Sequence, residues 1–245
     1  MELLRPGERL DDLQLAGMKI LQKEDGFRFG MDAVLLADFA RVEPKDVAAD
    51  FGTGTGILPL LLLGRGKGRH IHAFEIQPNM ADMAARTMAL NGITDKVTVH
   101  ALPVEEALSV LEPCSVDSII CNPPYGTPGT TLLNPSDTLR LARHQTAEGL
   151  SAWLKMAHRL LKGKGRLSMV YPAPRMLELM QSMEQMRLVP KRFRLIYPAA
   201  HKPANLVLVE AVKDAKPMLH PEPPLIVYEA DGSMTEELKR IYHIE

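Results

Sequence analysis

Cysteine is almost missing from this chain: Cys114 and Cys121 are the two in 245 residues. Their spacing suits neither a zinc knuckle nor a redox pair, so both read as structural thiols. The 8 histidines form no ligand spacing, and no metal is expected. Charge of one sign is missing too: 29 Lys and Arg stand against 30 Asp and Glu, a formal net charge of −1. No global field advertises a nucleic acid, so any contact with one must come from a local patch. Long apolar runs are absent; the longest, residues 57–63, contains Pro59 and is far too short to span a bilayer. The first seven residues lack a basic segment leading into an apolar core, so a signal peptide is not expected and the cytoplasm is the expected location. What remains, 46% hydrophobic and 24% charged, is the composition of a globular protein long enough to bury a sizeable core.

The chemistry that is present begins at a glycine loop. Residues 47–51 read as a short apolar strand ending in Asp50, followed by Gly52-Thr53-Gly54-Thr55-Gly56 and then an apolar helix from Ile57. Alternating glycines let a backbone turn sharply and approach a ligand closely, and a helix start beside them presents N–H groups. The next strand, 71–74, ends in Glu75, an acid that can accept both hydroxyls of a ribose. The loop is not the dinucleotide fingerprint, because its spacing is Gly-x-Gly-x-Gly and it opens with an acid. A carboxylate there repels a pyrophosphate and holds an ammonium group, which points to S-adenosylmethionine rather than a nicotinamide cofactor.

The second stretch is Asn122-Pro123-Pro124-Tyr125, placed after an apolar strand, 116–121. Its prolines stiffen the backbone and remove two donors. The Asn122 side-chain carbonyl and the Pro123 carbonyl can each accept one N–H of a planar amine, and Tyr125 offers a face for its ring. Asn-Pro is also ordinary turn chemistry; the strand before it and the glycine loop upstream favour the amine site.

Elsewhere the pattern alternates strands and helices. Residues 9–22 read as a small hairpin around Ala16-Gly17, and 33–39 as a helix that either covers a sheet edge or forms a lid. Residues 78–91 and 103–111 read as helices, 96–100 as a strand and 147–161 as an amphipathic helix that Lys162-Gly163-Lys164-Gly165 ends in a basic, flexible segment. A strand over 165–171, a core-facing methionine stripe at 176, 180, 183 and 186, two closing strands at 193–197 and 205–211, a proline-rich linker at 217–224 and a final helix at 235–242 complete the chain. Strand-helix alternation predicts a parallel sheet with right-handed crossovers. Arg140, Arg143 and His144 are candidate phosphate contacts, with a solvated helix entrance as the equal reading; His201 and Lys202 could touch RNA, but a plain hairpin turn is the favoured reading there.

The Asp-x-Gly-x-Gly-x-Gly loop, Glu75 and Asn122 to Tyr125 resemble class I S-adenosylmethionine-dependent methyltransferases acting on amino or amide nitrogens. Adding residues 9–13, Phe29-Gly30-Met31-Asp32-Ala33-Val34-Leu35-Leu36 and 224–228, nearly the whole chain resembles the bacterial tRNA(Val) adenine-N6 methyltransferase-like family. The resemblance implies an α/β, doubly wound Rossmann-like fold, mostly parallel with an antiparallel last strand and a small N-terminal hairpin and helix extension. It implies cofactor contacts from Phe29, Gly30, Asp32, Asp50, Gly52, Thr53, Gly54, Gly56, Glu75, Ile76 and Asn122, and catalysis by Asn122, Pro123, Pro124 and Tyr125. Pro103 stands where the family usually carries an acid facing the adenine, with Glu105, Glu106 or backbone N–H groups as substitutes.

The expected organisation is an extension at 1–40, a catalytic domain at 41–215 and a tail at 216–245. The expected reaction is methyl transfer from S-adenosyl-L-methionine to adenine N6 in tRNA. Transfer to a protein glutamine amide is the alternative, weakened because only about fifty residues precede the loop, too few for a separate substrate domain. A non-catalytic RNA-binding protein with a degenerate fold is the other.

Overall fold

The computed structural model describes residues 4–24, 30–123 and 147–244. The chain opens with a hairpin of β1 (Glu8–Asp12) and β2 (Lys19–Lys23), antiparallel with Leu10 opposite Leu21. Then follow α1 (Met31–Phe39), β3 (Val47–Phe51), α2 (Ile57–Gly64), β4 (His70–Phe74), α3 (Pro78–Leu90) and β5 (Val97–His100). A 3-10 turn (Val104–Ser109) leads to β6 (Val116–Cys121); α4 (Ala147–Leu160), β7 (Leu161–Pro172), α5 (Met176–Gln185), β8 (Leu188–Ala199) and β9 (Leu206–Lys213) come next. The chain closes with β10 (His220–Pro221), β11 (Leu225–Tyr228) and α6 (Glu236–Ile241).

Apart from the hairpin, the described strands form one sheet in the order β10, β8, β9, β7, β6, β3, β4, β5, with β11 also on β8. Strands β3 to β7 are mutually parallel; β9, between β7 and β8, runs antiparallel to both. One face is covered by α1, α2 and α6, with Leu36, Leu60, Leu62 and Leu238 fully buried. The other is covered by the 3-10 turn, α4 and α5, with Trp153, Leu154, Leu160, Leu179 and Met183 inside. Met183 lies in the core and Met176, Met180 and Met186 pack at its margin, so the methionine stripe is packing. Among the described residues, no helix is long and apolar enough to cross a membrane.

Four segments differ from expectation. The basic stretch at 162–165 is no flexible helix end but the start of β7, because Leu161 already pairs with Val116 across a bulge. Lys162 Nζ donates to the Asp117 carboxylate at 2.7 Å, so ladder and ion pair override the glycines. The 103–111 helix is a tight 3-10 turn whose buried residues, Val104 and Ala107, are three apart and fall on one edge of such a turn. The 217–224 linker contains β10, parallel to β8. Helix α1 covers a face of the sheet rather than an edge: six of its nine residues are buried, as its apolar circumference requires. Its carboxyl end is pinned by cations. Lys67 Nζ donates to the carbonyls of Ala37, Asp38 and Ala40, each at 2.8 Å, and the Arg192 guanidinium donates to the Phe39 carbonyl while lying 3.8 Å over its ring.

At the β5 edge, His70 and His72 on β4 and His100 on β5 form a half-buried ladder. His72 Nδ1 and His100 Nε2 are 3.1 Å apart, and Phe74 stacks on His100. Burial, then the neighbouring rings of His70 and His100, lowers the His72 pKa from 6.5 to about 4. An imidazole held neutral by the fold gains its proton more readily in the unfolded chain, so stability is lost as pH falls from 6.5 toward 4. Thermal melts across that window are expected to show a falling Tm, with a shallower fall in His72→Leu; an unchanged slope in that variant would exclude the ladder as its cause.

Candidate active site

The site is built at the carboxyl edge of the sheet, where β3 and β6 lie side by side. Their register pairs Asp50 with Ile120 and Phe51 with Cys121, so Gly52 and Asn122 leave the sheet as neighbours. Strands β4 and β5 are added on one side of β3 and β6 on the other, making this the switch point where open α/β sheets hold ligands.

The glycine loop is drawn toward β4. The N–H groups of Gly52 and Thr53 both donate to the Phe74 carbonyl, at 3.0 and 2.9 Å, and that of Gly54 donates to Glu75 Oε2 at 2.9 Å. Gly52 has φ of 74°, and a Cβ there would lie 2.9 Å from the Trp153 ring, which also packs edge-on against Phe51. Gly54 has φ of 57° and nothing within 4 Å of its Cβ position, so the loop's open side is bare backbone. Gly56, also left-handed, caps α2.

Asp50 is completely buried, and among the described residues neither of its carboxylate oxygens has a hydrogen-bond partner. Burial raises its pKa to about 7; the Thr53 hydroxyl moderates the rise without closing a hydrogen bond, and the charge of Glu75 adds to it. A buried, orphaned carboxylate of this kind is costly unless a cation arrives. Glu75, also buried, accepts from Gly54 and, through Oε1, from Gln77 N–H at 2.9 Å; lone pairs remain for hydroxyl donors. Burial raises its pKa against those bonds. Ile76 follows as an exposed apolar residue, 37% accessible. An orphaned acid, bare glycine backbone, a hydroxyl-accepting acid and an exposed apolar side chain together fit a nucleoside carrying an ammonium group.

On the other strand Asn122 is half-buried and Pro123 buried. Asn122 Nδ2 donates to Asp32 Oδ2 at 3.2 Å, and Asp32 Oδ1 accepts from Ala33 N–H at 2.9 Å. Thus Gly30, Asp32, Asp50, Gly52, Thr53, Gly54, Gly56, Glu75, Ile76, Asn122 and Pro123 gather at or near one edge. Phe29, Pro124, Tyr125, Arg140, Arg143 and His144 lie outside the described residues. Glu105 and Glu106 are exposed on the turn after Pro103. His201 and Lys202 are exposed in the β8–β9 turn, on the same edge as the site. Sequence reasoning missed Trp153 as the floor of the loop. It lies on the amphipathic helix, and no local pattern links it to the glycine above it.

Residues 30–194 match the family model of the methyltransferase small domain. A Porphyromonas gingivalis protein named tRNA1(Val) (adenine(37)-N6)-methyltransferase is 27% identical over 87% of this chain and 86% of its own. A Vibrio campbellii protein of the same name is 27% identical over 90% of this chain and 91% of its own. Among solved structures, a predicted O-methyltransferase from Agrobacterium tumefaciens superposes with a TM-score of 0.68 at 22% identity, over 87% of this chain and 96% of that one. Pyrococcus horikoshii TYW2, solved in complex with MeSAdo, gives 0.58 at 14% identity, over 86% and 73%.

Because the folded-state pKa of Asp50 is raised, its contribution to stability is complete below about pH 4 and lost as pH rises through 7. Asp50→Asn is expected to flatten that decline and raise the neutral-pH Tm of the ligand-free protein by about 3 °C or more. The same change weakens cofactor binding in calorimetry. A lower ligand-free Tm in the variant would show that Asp50 already has a partner.

Proposed function

The chain belongs to the methyltransferase small domain family, and from that premise we propose that it transfers a methyl group from S-adenosyl-L-methionine to the exocyclic N6 amine of an adenine in tRNA. The observation that carries the reading is the β3–β6 pairing. It sets a loop suited to an ammonium-bearing nucleoside beside an asparagine suited to a planar amine. The names of the two relatives favour tRNA1(Val) and adenine 37 as the acceptor.

In this reading Asp50 receives the α-ammonium, Gly52 to Gly56 admit the methionine portion to close backbone contact, Glu75 accepts the ribose hydroxyls and Ile76 lies against the adenine. When bound, the cofactor supplies an electrophilic methyl on a sulfonium leaving group. The protein's part is to aim the nucleophile. Asn122 Oδ1 and the Pro123 carbonyl each accept one N–H of the amine, which draws its lone pair out of conjugation with the purine and toward the glycine loop. Stacking of the base is the role the sequence assigns to Tyr125, which lies outside the described residues. No dedicated base is needed, because the amine's proton leaves after the nitrogen has attacked. A target in an RNA loop is cheaper to unstack than one in a duplex. His201 and Lys202, at the same edge, contact flanking phosphates, and the enzyme works in the cytoplasm.

Asn122→Ala is expected to abolish transfer of labelled methyl to total tRNA while S-adenosylhomocysteine binds it as it binds wild type. Near-normal turnover in the variant would refute the mechanism. Label entering protein instead of tRNA would replace the substrate with a glutamine amide.

A further inference from the structure

We infer that Asp32 is a positioning residue which decides which arm of the Asn122 carboxamide faces the acceptor amine; the inference rests on Asn122 being the group that receives that amine. A carboxamide carries an acceptor and a donor on two arms of nearly equal shape, and a half-turn about its last torsion exchanges them. With the oxygen toward an exocyclic NH2 the side chain grips; with its own NH2 there, two donors oppose each other. Asparagine alone does not choose between these.

Asp32 makes the choice. Its Oδ2 is 3.2 Å from Asn122 Nδ2, and a carboxylate offers lone pairs only. The amide oxygen cannot occupy that place without setting acceptor against acceptor, so Oδ1 is left on the opposite arm. The negative charge also polarises the amide through Nδ2 and strengthens Oδ1 as an acceptor. As the amine develops positive charge during attack, that polarisation grows in value.

The carboxylate is itself fixed. Its Oδ1 accepts from Ala33 N–H at 2.9 Å in the first turn of α1, where the helix dipole favours an acid. Gly30 leaves room for it, since a Cβ at that position would lie 2.6 Å from Asp32 Oδ1. The other end of α1 is tied down by Lys67 and Arg192, and the helix between is buried. The helix therefore acts as a strut: cations hold its carboxyl end, and its amino end delivers one carboxylate to the amine site.

A set of variants tests this by kcat and KM for tRNA methylation, S-adenosylhomocysteine affinity and Tm. Asp32→Ala is expected to lower kcat about 10- to 100-fold, the scale of a misaligned reacting group. KM for tRNA stays near wild type, and the fall in kcat exceeds any accompanying change in cofactor affinity or Tm. Asn122→Asp sets two carboxylates face to face and is expected to be nearly inactive. Combining it with Asp32→Asn restores complementarity, because the amide introduced at 32 donates to the carboxylate introduced at 122, and recovers kcat above the single Asn122→Asp variant. A merely structural role for Asp32 gives no such recovery. If Asn122→Ala is inactive while Asp32→Ala keeps the wild-type kcat, or the exchanged pair is no better than Asn122→Asp, the inference is overturned. If Asn122→Ala is active, the amine assignment fails first and takes the inference with it.

Discussion

Everything at this site depends on one strand pairing, the parallel register that sets Phe51 opposite Cys121. Beyond those residues β3 and β6 release two loops of different chemistry within one strand spacing, about 4.8 Å. One loop is bare backbone around a buried acid; the other presents a carboxamide followed by proline. A slip of one residue would turn Asp50 to the other face of the sheet and separate the two functions. The register is held from both sides: Ala48 and Ile120 pack into one helical layer and Ala49, Phe51, Ile119 and Cys121 into the other, so a shift of either strand would disrupt the packing of both layers.

The fold carries a cost at this point and offsets it elsewhere. Asp50 is held in the core without a hydrogen-bond partner among the described residues, and three alternating loop glycines occupy left-handed backbone. The surrounding scaffold is correspondingly stiff. Trp153 supports the loop from one layer, and α1, with its pinned end, supports Asn122 from the other. The hairpin is anchored separately, through the buried Arg86, which donates to both Glu8 oxygens at 2.7 and 2.6 Å and to Asp82 at 3.0 Å. Helical elements on both faces thus hold the site.

The two stretches that leave the sheet side by side were legible as loops in the sequence because each depends on residues whose backbone behaviour is unusual. Gly52, Gly54 and Gly56 declare a loop that side chains would obstruct, and Asn122-Pro123 declares a strand that cannot continue as a ladder. The hairpin and the strand-helix rhythm were legible from periodicity. What escaped was decided by distant partners. Gly163 and Gly165 look flexible until β6 is known to lie beside them, and the 217–224 prolines look like a linker until β8 offers an edge. Asp32 was visible as an acid near a helix start. Its partner is ninety positions away, and no local pattern connects the two.

The central claim is that the two loops meet to methylate an adenine amine in tRNA. Mass spectrometry of nucleosides from tRNA of cells with the gene, without it and with it restored tests this most directly. The account predicts that N6-methyladenosine falls on deletion and returns with the intact gene. An unchanged level of N6-methyladenosine in the deletion would contradict it.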